Sequence, residues 1–94
     1  MLICRIAYDA EGKDAERKAH YDAHRAYLRS DAASAIVQSG PLFASDGSNR
    51  KIGALIVFEV ESAAEAEAFN TGDPFIINGV YDRVDMLRWD RTIG

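Results

Sequence analysis

The sequence predicts an α+β domain in which an antiparallel sheet carries two helices on one face. The hydrophobic period changes along the chain in the order strand, helix, strand, strand, helix, strand, which is the βαββαβ order of ferredoxin-like folds. The stretch from Ile52 to Phe58 is apolar or small at every position, as expected for a strand in the middle of a sheet. The length of 94 residues suits a single domain covering residues 1–94.

The first half of the chain is predicted to form a strand, a helix and a second strand. The first strand places one set of side chains on a common face, namely Leu2, Cys4, Ile6 and Tyr8. Residues 14–30 contain neither proline nor glycine and repeat apolar residues at helical spacing, so the longer helix is expected there. The second strand, Ala35–Leu42, ends at Gly40 and Pro41. Because proline cannot donate a ladder hydrogen bond, that end is expected at an edge or a break of the sheet.

The second half begins with a hairpin connection. Turn-forming polar residues fill Phe43–Lys51 and lead into the third strand, Ile52–Val60. Ser62 and Glu65 have the spacing of a capping box, which begins the second helix, and Gly72 ends that helix. A short second helix is therefore expected between the third strand and the last one.

The last strand, Val80–Trp89, has apolar residues on both faces of the sheet. One face holds Val84 and Met86, and the other holds Tyr81, Leu87 and Trp89. Since both helices are expected on one face, the other apolar face must be buried against something else. A second copy of the chain is the simplest cover, so we expect a homodimer.

Composition excludes several classes of function. The net charge is −4, and the 11 lysines and arginines are scattered, so we expect no nucleic-acid partner. No apolar run is long enough to cross a bilayer, which predicts a soluble protein with no membrane partner. The single cysteine, Cys4, cannot form an internal disulfide, and the first residues lack the basic segment and long apolar stretch of a secretory signal, so the expected location is the cytoplasm. Cys4 itself is interpreted as a buried, inert thiol.

Two residues far apart in sequence suggest proton-transfer chemistry. His24 lies in the predicted first helix, and Asp73 follows the second helix in the segment Gly72–Phe75. Histidine titrates near neutral pH, and a carboxylate bound to one ring nitrogen fixes the tautomer and leaves the other nitrogen free to exchange a proton. If folding brings the two together, the pair is equipped for proton abstraction next to a carbonyl, isomerisation or elimination, with no metal or cofactor.

Each member of the pair also has a purely structural explanation. His24 shares a helix stripe with Arg17, Tyr21 and Leu28, so it would also suit the edge of the core. Asp73 precedes Pro74, and this pair commonly begins a short helical turn. Capping and contact with a histidine can coexist in one carboxylate.

A metal site on the first helix is a further hypothesis for its two histidines. His20 and His24 are four residues apart, which allows both rings to bind one metal ion. No carboxylate or thiol is convincingly placed to complete such a site, so we expect no metal. His20 is interpreted as a solvated surface residue.

Five short segments, in the same order over nearly the whole chain, resemble the YCII-related proteins. They are Ala23–Leu28, Gln38–Leu42, Gly53–Val57, Glu61–Ala66 and Asp73–Phe75. The resemblance implies a ferredoxin-like fold that pairs into a dimeric α/β barrel, within a superfamily that also holds muconolactone isomerases and cofactor-free monooxygenases. It further implies that a His and an Asp, matching His24 and Asp73, line a pocket.

The chain departs from that family pattern at one position. Family members often carry an arginine three residues before the helix histidine, where this chain has Tyr21. If an anion binds there, Arg17 or Arg25 would have to take the place of that arginine.

These observations together predict a small cofactor-free enzyme that uses His24 and Asp73 for general acid–base chemistry on an aromatic or lactone-like molecule. The residues expected to line its substrate pocket are Ser39, Gly40, Pro41, Phe75 and Tyr81. The alternative is a non-catalytic module, which binds a small ligand or serves assembly and acts as a dimer. The fold by itself does not distinguish the two, because ferredoxin-like domains host many activities.

Overall fold

The computed structural model describes residues 1–94 and contains four strands and three helices. The strands are β1 (Leu2–Asp9), β2 (Ile36–Phe43), β3 (Lys51–Glu59) and β4 (Tyr81–Trp89). The helices are α1 (Asp14–Leu28), α2 (Ala63–Gly72) and the four-residue α3 (Pro74–Ile77). Because α3 follows α2 after a single residue, the order is the predicted βαββαβ.

The four strands form one antiparallel sheet in the order β2-β3-β1-β4. The prediction that the third strand is central is confirmed, and β1 lies beside it as the other central strand. The second strand, β2, lies at an edge, where Pro41 does not interrupt an inner ladder. The helices lie on one face of this sheet. Ile3 and Phe58 of the two central strands pack there against Ala66 and Phe69 of α2. The chain therefore has the predicted ferredoxin-like α+β fold.

The helices cover the face of β1 that carries Arg5, and not the face that carries its larger apolar set. The side chains that face the helices are Ile3, Arg5 and Ala7, which are at most 3% exposed. The apolar set Leu2, Cys4, Ile6 and Tyr8 lies on the opposite face, which no helix covers, and is half-buried. Cys4 is thus less enclosed than expected, although partial burial still raises the pKa of its thiol.

The first helix ends two residues earlier than predicted. The backbone N–H groups of Arg29 and Ser30 bond three residues back, which tightens the end of α1, and the Ser30 hydroxyl also donates to the carbonyl of Tyr27. A 3-10 turn, Asp31–Ala33, follows before β2. None of the helices combines the length and the apolarity that crossing a membrane would require.

The second helix begins as the capping box predicts. The Glu65 carboxylate accepts from the backbone N–H of Ser62 at 3.2 Å and from that of Glu61 at 2.6 Å. The helix ends at Gly72, and Asp73 is both the C-cap of α2 and the N-cap of α3. This tight connection fixes the Asp73 side chain against the sheet, where it is completely buried.

The start of β4 corrects one prediction. Tyr81 was expected on the face of Leu87 and Trp89, but the pairing with β1 shifts by one residue between Tyr8–Arg83 and Asp9–Tyr81. This irregularity turns Tyr81 to the helix side of the sheet, where its ring contacts Phe75. A one-residue shift of this kind reverses the face of every residue beyond it.

Replacing Gly53 with alanine should lower the free energy of unfolding by roughly 2–3 kcal/mol. An added Cβ would lie 2.0 Å from the carbonyl oxygen of Ala7, in the ladder that joins the two central strands. Gly40→Ala is the matched control, because a Cβ on that edge-strand glycine meets nothing within 4 Å. Urea denaturation checks both variants, and equal stability of the two would contradict this account.

Candidate active site

The fold brings His24 and Asp73 into direct contact, although they are 49 positions apart in the sequence. Nδ1 of His24 lies 2.7 Å from Oδ1 of Asp73. The imidazole is on the face of α1 that covers the sheet, and its side chain keeps 10% of its surface exposed. No hydrogen bond within the protein uses Nε2, so this atom remains available to a ligand. The sequence-based hypothesis that the two residues meet is correct.

Asp73 is a helix cap and a partner of His24 at the same time. Its Oδ1 accepts from the backbone N–H of Phe75 at 2.9 Å, and the same oxygen contacts His24. The other oxygen, Oδ2, accepts from Arg5 Nη1 at 2.8 Å. The carboxylate therefore makes hydrogen bonds to three protein groups and has no exposed surface. It orients His24, and a ligand in the cavity cannot reach it.

Arg5 is a component of the site that the sequence analysis missed. It is completely buried, and its Nη1 also donates to the side-chain oxygen of Asn70 at 3.2 Å. The guanidinium lies 5.5 Å from the ring centre of Phe69 and 5.7 Å from that of Tyr81. One signal was available in the sequence. Arg5 is the only charged residue between Leu2 and Tyr8, and it shares its strand face with Ile3 and Ala7.

The electrostatics of the site favour an ionised Asp73. Burial by itself would raise the pKa of this carboxyl, but the hydrogen bonds and charges of His24 and Arg5 outweigh burial and hold the pKa below its ordinary value. Asp73 is thus a carboxylate at neutral pH. In that form it accepts a hydrogen bond from the Nδ1–H group of the neutral imidazole, which leaves Nε2 without a proton.

Phe75 holds the imidazole in place. The two rings are parallel, with centroids 3.9 Å apart and an interplanar angle of 5°. Arg17 also lies over the Phe75 ring, at 5.1 Å, and Tyr81 meets it edge-on at 5.9 Å. Phe75 is one of the residues predicted to line a substrate pocket, but it is only 2% exposed, so most of its ring contacts protein.

A cavity of about 300 Å³ opens beside His24. All five residues predicted to line a substrate pocket border it, namely Ser39, Gly40, Pro41, Phe75 and Tyr81. Four residues on one face of α1 border the cavity as well, namely Arg17, Tyr21, His24 and Leu28. The cavity is therefore bordered by α1, the neighbouring strands β2 and β3 and the start of β4, and it is large enough for a small organic molecule.

The lining of this cavity is basic, although the chain as a whole is acidic. Arg5, Arg17, Arg25 and Lys51 border it, and no aspartate or glutamate does. Arg17 forms an ion pair with Asp9, whereas Arg25 and Lys51 have no carboxylate partner. Such a lining attracts anions.

Tyr81 supplies a neutral hydroxyl to this cavity. Burial raises its pKa to about 12, with smaller opposing effects from the charges of Arg5 and Asp73. The phenol therefore keeps its proton at neutral pH and can donate a hydrogen bond, but it does not act as a base there.

His20 lies apart from the site. It is half-buried rather than fully solvated, and it does not border the cavity. No group of three histidine, cysteine, aspartate or glutamate side chains lies close enough together to hold a metal ion. The pair His20 and His24 therefore gains no third ligand from the fold.

The face of the sheet opposite the helices carries a shallow apolar groove of about 560 Å³. Its lining includes Cys4, Ile6, Leu55, Val57, Leu87 and Trp89. Leu87 is 54% exposed and Trp89 37%. We call this surface the open-face groove. Ser39, Gly40 and Pro41 border both this groove and the His24 cavity.

The fold and the site together define a class of protein: a small ferredoxin-like α+β domain with a buried His–Asp pair beside a ligand-sized cavity. The chain belongs to the YCII-related family, because the family model of the YCII-related domain matches residues 1–90. Comparison with curated proteins gives no match.

Two solved structures illustrate what the chain resembles. It is 30% identical, with a TM-score of 0.81, to 5-chloro-2-hydroxyhydroquinone dehydrochlorinase (TftG) from Burkholderia phenoliruptrix AC1100 in complex with 2,5-dihydroxybenzoquinone, over 96% of this chain and 94% of that one. SnoaB, a cofactor-independent oxygenase from Streptomyces nogalater, is 12% identical with a TM-score of 0.55, over 98% and 93% of the two chains, which shows the fold alone. Small-molecule enzyme activity is thus found among the relatives of this chain.

Proposed function

We propose that the protein is a cofactor-free enzyme that uses His24 as a general base and acid on a small organic anion. The observation that carries the proposal is the 2.7 Å contact between His24 and the buried Asp73 at the edge of a cavity. A histidine whose tautomer is fixed by a carboxylate, and whose other nitrogen is free, is suited to proton transfer.

The proposed reaction begins with His24 Nε2 removing a proton from a carbon next to a carbonyl group. The electron pair of the broken C–H bond forms a C=C bond, and the carbonyl electron pair moves to oxygen to give an enolate. Where the enolate is conjugated with a second C=C bond, the carbonyl re-forms, the double bond shifts, and the far carbon takes the proton back from the imidazolium, which is an isomerisation. Alternatively, the carbonyl re-forms and the electron pair of the enolate C=C bond forms a new C=C bond to the neighbouring carbon. The leaving group departs from that carbon with its bonding pair, which is an elimination, and the imidazolium releases its proton to solvent. Asp73 stays ionised throughout and stabilises the imidazolium.

The proposed substrate class rests on the cavity lining and on the similarity to TftG. Arg25 and Lys51 are cations without carboxylate partners, and Tyr81 offers a neutral donor, so an ionised hydroxyl or carboxylate on a ring compound is the matching ligand. TftG acts on a chlorinated hydroxyhydroquinone. We therefore propose hydroxylated aromatic or quinone-like anions, and lactones that carry an acidic group.

Solvent exchange tests this function even while the natural substrate is unidentified. We expect the protein in D₂O to introduce deuterium next to the carbonyl of some members of a panel of hydroxyquinones and acidic lactones, as followed by proton NMR. The same panel with His24→Gln gives the background. Binding of panel members without exchange or turnover would instead favour a non-catalytic ligand-binding module.

Anion binding is testable with 2,5-dihydroxybenzoquinone, an ionised planar compound that absorbs visible light. Arg25→Gln and Lys51→Gln should each weaken its binding by about 5-fold at low salt, because each variant removes about 1 kcal/mol of attraction. The effect should shrink as salt is added. Arg83→Gln, an exposed arginine outside the cavity, is the control. Equal affinity of all four proteins would contradict a role for these charges.

We propose a homodimer as the functional unit, in which the open-face groove packs against a second copy. The support is the apolar lining of the groove and the exposure of Leu87, which β4 contributes to it. Sedimentation equilibrium at micromolar concentration should give twice the monomer mass, and Leu87→Glu should give the monomer. A monomeric parent protein would refute this part of the proposal.

We also propose that the protein works in the cytoplasm. Its one cysteine, Cys4, has no partner for a disulfide within the chain, and burial keeps its thiol protonated. A reducing compartment suits such a thiol. Fractionation of cells that express the protein checks the location.

A further inference from the structure

We propose that Arg5 is a positioning residue, which keeps the Asp73 carboxylate ionised so that the exchangeable proton of the site is carried by His24 alone. The inference deepens the proposed function and rests on it for its catalytic meaning. Its physical content, the charge state of Asp73 and the tautomer of His24, is measurable without any substrate.

The geometry places Asp73 between two donors that differ in kind. Arg5 Nη1 is 2.8 Å from Oδ2, and His24 Nδ1 is 2.7 Å from Oδ1. The side chains of Arg5 and Asp73 are both completely buried. Arginine does not lose its proton in a protein, whereas histidine does near neutral pH. Arg5 is therefore the permanent counter-charge of the carboxylate.

The remaining groups that face Asp73 do not replace this charge. Tyr27 of α1 and Tyr81 of β4 are near the carboxylate, and burial raises the pKa of both phenols, so both are neutral at working pH. The backbone N–H of Phe75 donates to Oδ1 but carries no net charge. Without Arg5, a buried carboxylate beside a neutral histidine would be an isolated charge, which favours uptake of a proton.

Proton uptake by Asp73 would remove the base. A protonated Asp73 would donate its O–H to Nδ1, and the neutral imidazole would then carry its own proton on Nε2. That tautomer presents a donor to the cavity where the proposed reaction needs an acceptor. Arg5 thus determines which end of the imidazole is free.

Packing alone is a poor explanation for an arginine at this position. Its Nε and Nη2 are buried and have no hydrogen-bond partner, and its charge is removed from water. An apolar side chain of similar volume usually serves a core as well as or better than a buried ion pair. The aromatic faces of Phe69 and Tyr81 compensate part of the lost hydration. The feature that an apolar residue could not supply is the charge.

Carbon-13 NMR of the Asp73 carboxyl group tests the proposal. In Arg5→Gln, which keeps a polar donor but loses the charge, the titration midpoint of Asp73 should rise by about 1 to 3 pH units. Arg5→Lys, which keeps the charge, should stay close to the parent protein. Arg83→Gln breaks an exposed ion pair with Asp85 and should leave Asp73 unchanged. Nitrogen-15 shifts of His24 should show that the neutral imidazole carries its proton on Nδ1 in the parent protein. Where Asp73 is protonated, they should show that proton on Nε2.

An unchanged Asp73 midpoint in folded Arg5→Gln overturns the proposal, as does a neutral parent His24 with its proton on Nε2. If Arg5→Gln does not fold, the double variant Arg5→Gln with Asp73→Asn decides the matter. Recovery of folding in the double variant supports a stranded carboxylate as the cause, and failure to recover overturns it. A shifted midpoint together with no exchange activity in the parent protein would count against the proposed function and leave the role of Arg5 intact.

Discussion

Replacing His24 with glutamine should lower turnover or solvent exchange by about 100-fold to 10,000-fold, the usual contribution of a general base. Glutamine keeps a donor that can reach Asp73 but cannot accept and release a proton. Because the cavity lining is otherwise unchanged, the affinity for 2,5-dihydroxybenzoquinone should change much less than turnover does. Turnover is measured by NMR on samples quenched at successive times, and affinity is measured separately by absorbance.

The matched control for this variant is His20→Gln. His20 lies one turn earlier on α1 and does not border the cavity, so its replacement should leave both turnover and binding near the parent values. A His24→Gln protein that retains turnover would exclude His24 as the base. Loss of binding together with turnover would indicate that the imidazole chiefly recognises the ligand.

Asp73→Asn should lower the free energy of unfolding by about 3 to 5 kcal/mol at pH 7, because it strands the buried charge of Arg5. Asparagine is also a good N-cap, so α3 keeps its cap and the loss reports on the ion pair. Asp85→Asn is the control. It breaks the pair with the exposed Arg83 and should cost no more than about 1 kcal/mol. Urea denaturation of the three proteins measures both losses.

The stability of the parent protein should depend on pH in a way that Asp73→Asn removes. The pKa of Asp73 is lower in the folded protein than in the unfolded chain, so its stabilisation is fully present above the ordinary pKa of an aspartate. It is lost as the pH falls below about 4 and through the folded pKa. Urea midpoints between pH 7 and pH 3 should therefore fall more steeply for the parent protein than for the variant. Parallel curves would contradict a depressed pKa.

The parts of the fold that were predictable from sequence are those written in local patterns. The capping box at Ser62 and Glu65, the Asp73 and Pro74 pair and the apolar run of β3 each determine a local conformation by themselves. With the element order in place, strand topology follows from a small set of allowed connections. The contact between His24 and Asp73 then required only that α1 and the turn before α3 cover the same face.

The parts that were missed depend on strand register and on contacts between residues that are distant in sequence. The irregular pairing beside Asp9 leaves no mark in the sequence, so the face of Tyr81 was predicted wrongly. Arg5 is in phase with buried residues, but a charge in the core is compensated only by groups distant in sequence, here Asp73 and Asn70. Because these partners are known only after folding, the alternation of β1 does not reveal that the helices cover the face that carries Arg5.

The segment Ser39–Pro41 lies between the His24 cavity and the open-face groove, so a single strand separates the two there. Any coupling between the two sides must be reciprocal: the factor by which a bound ligand strengthens contact at the groove equals the factor by which that contact strengthens ligand binding. The only tryptophan of the chain, Trp89, lies in the groove. Its fluorescence therefore offers a direct measurement of any such coupling when a colourless ligand enters the cavity on the other side of the sheet.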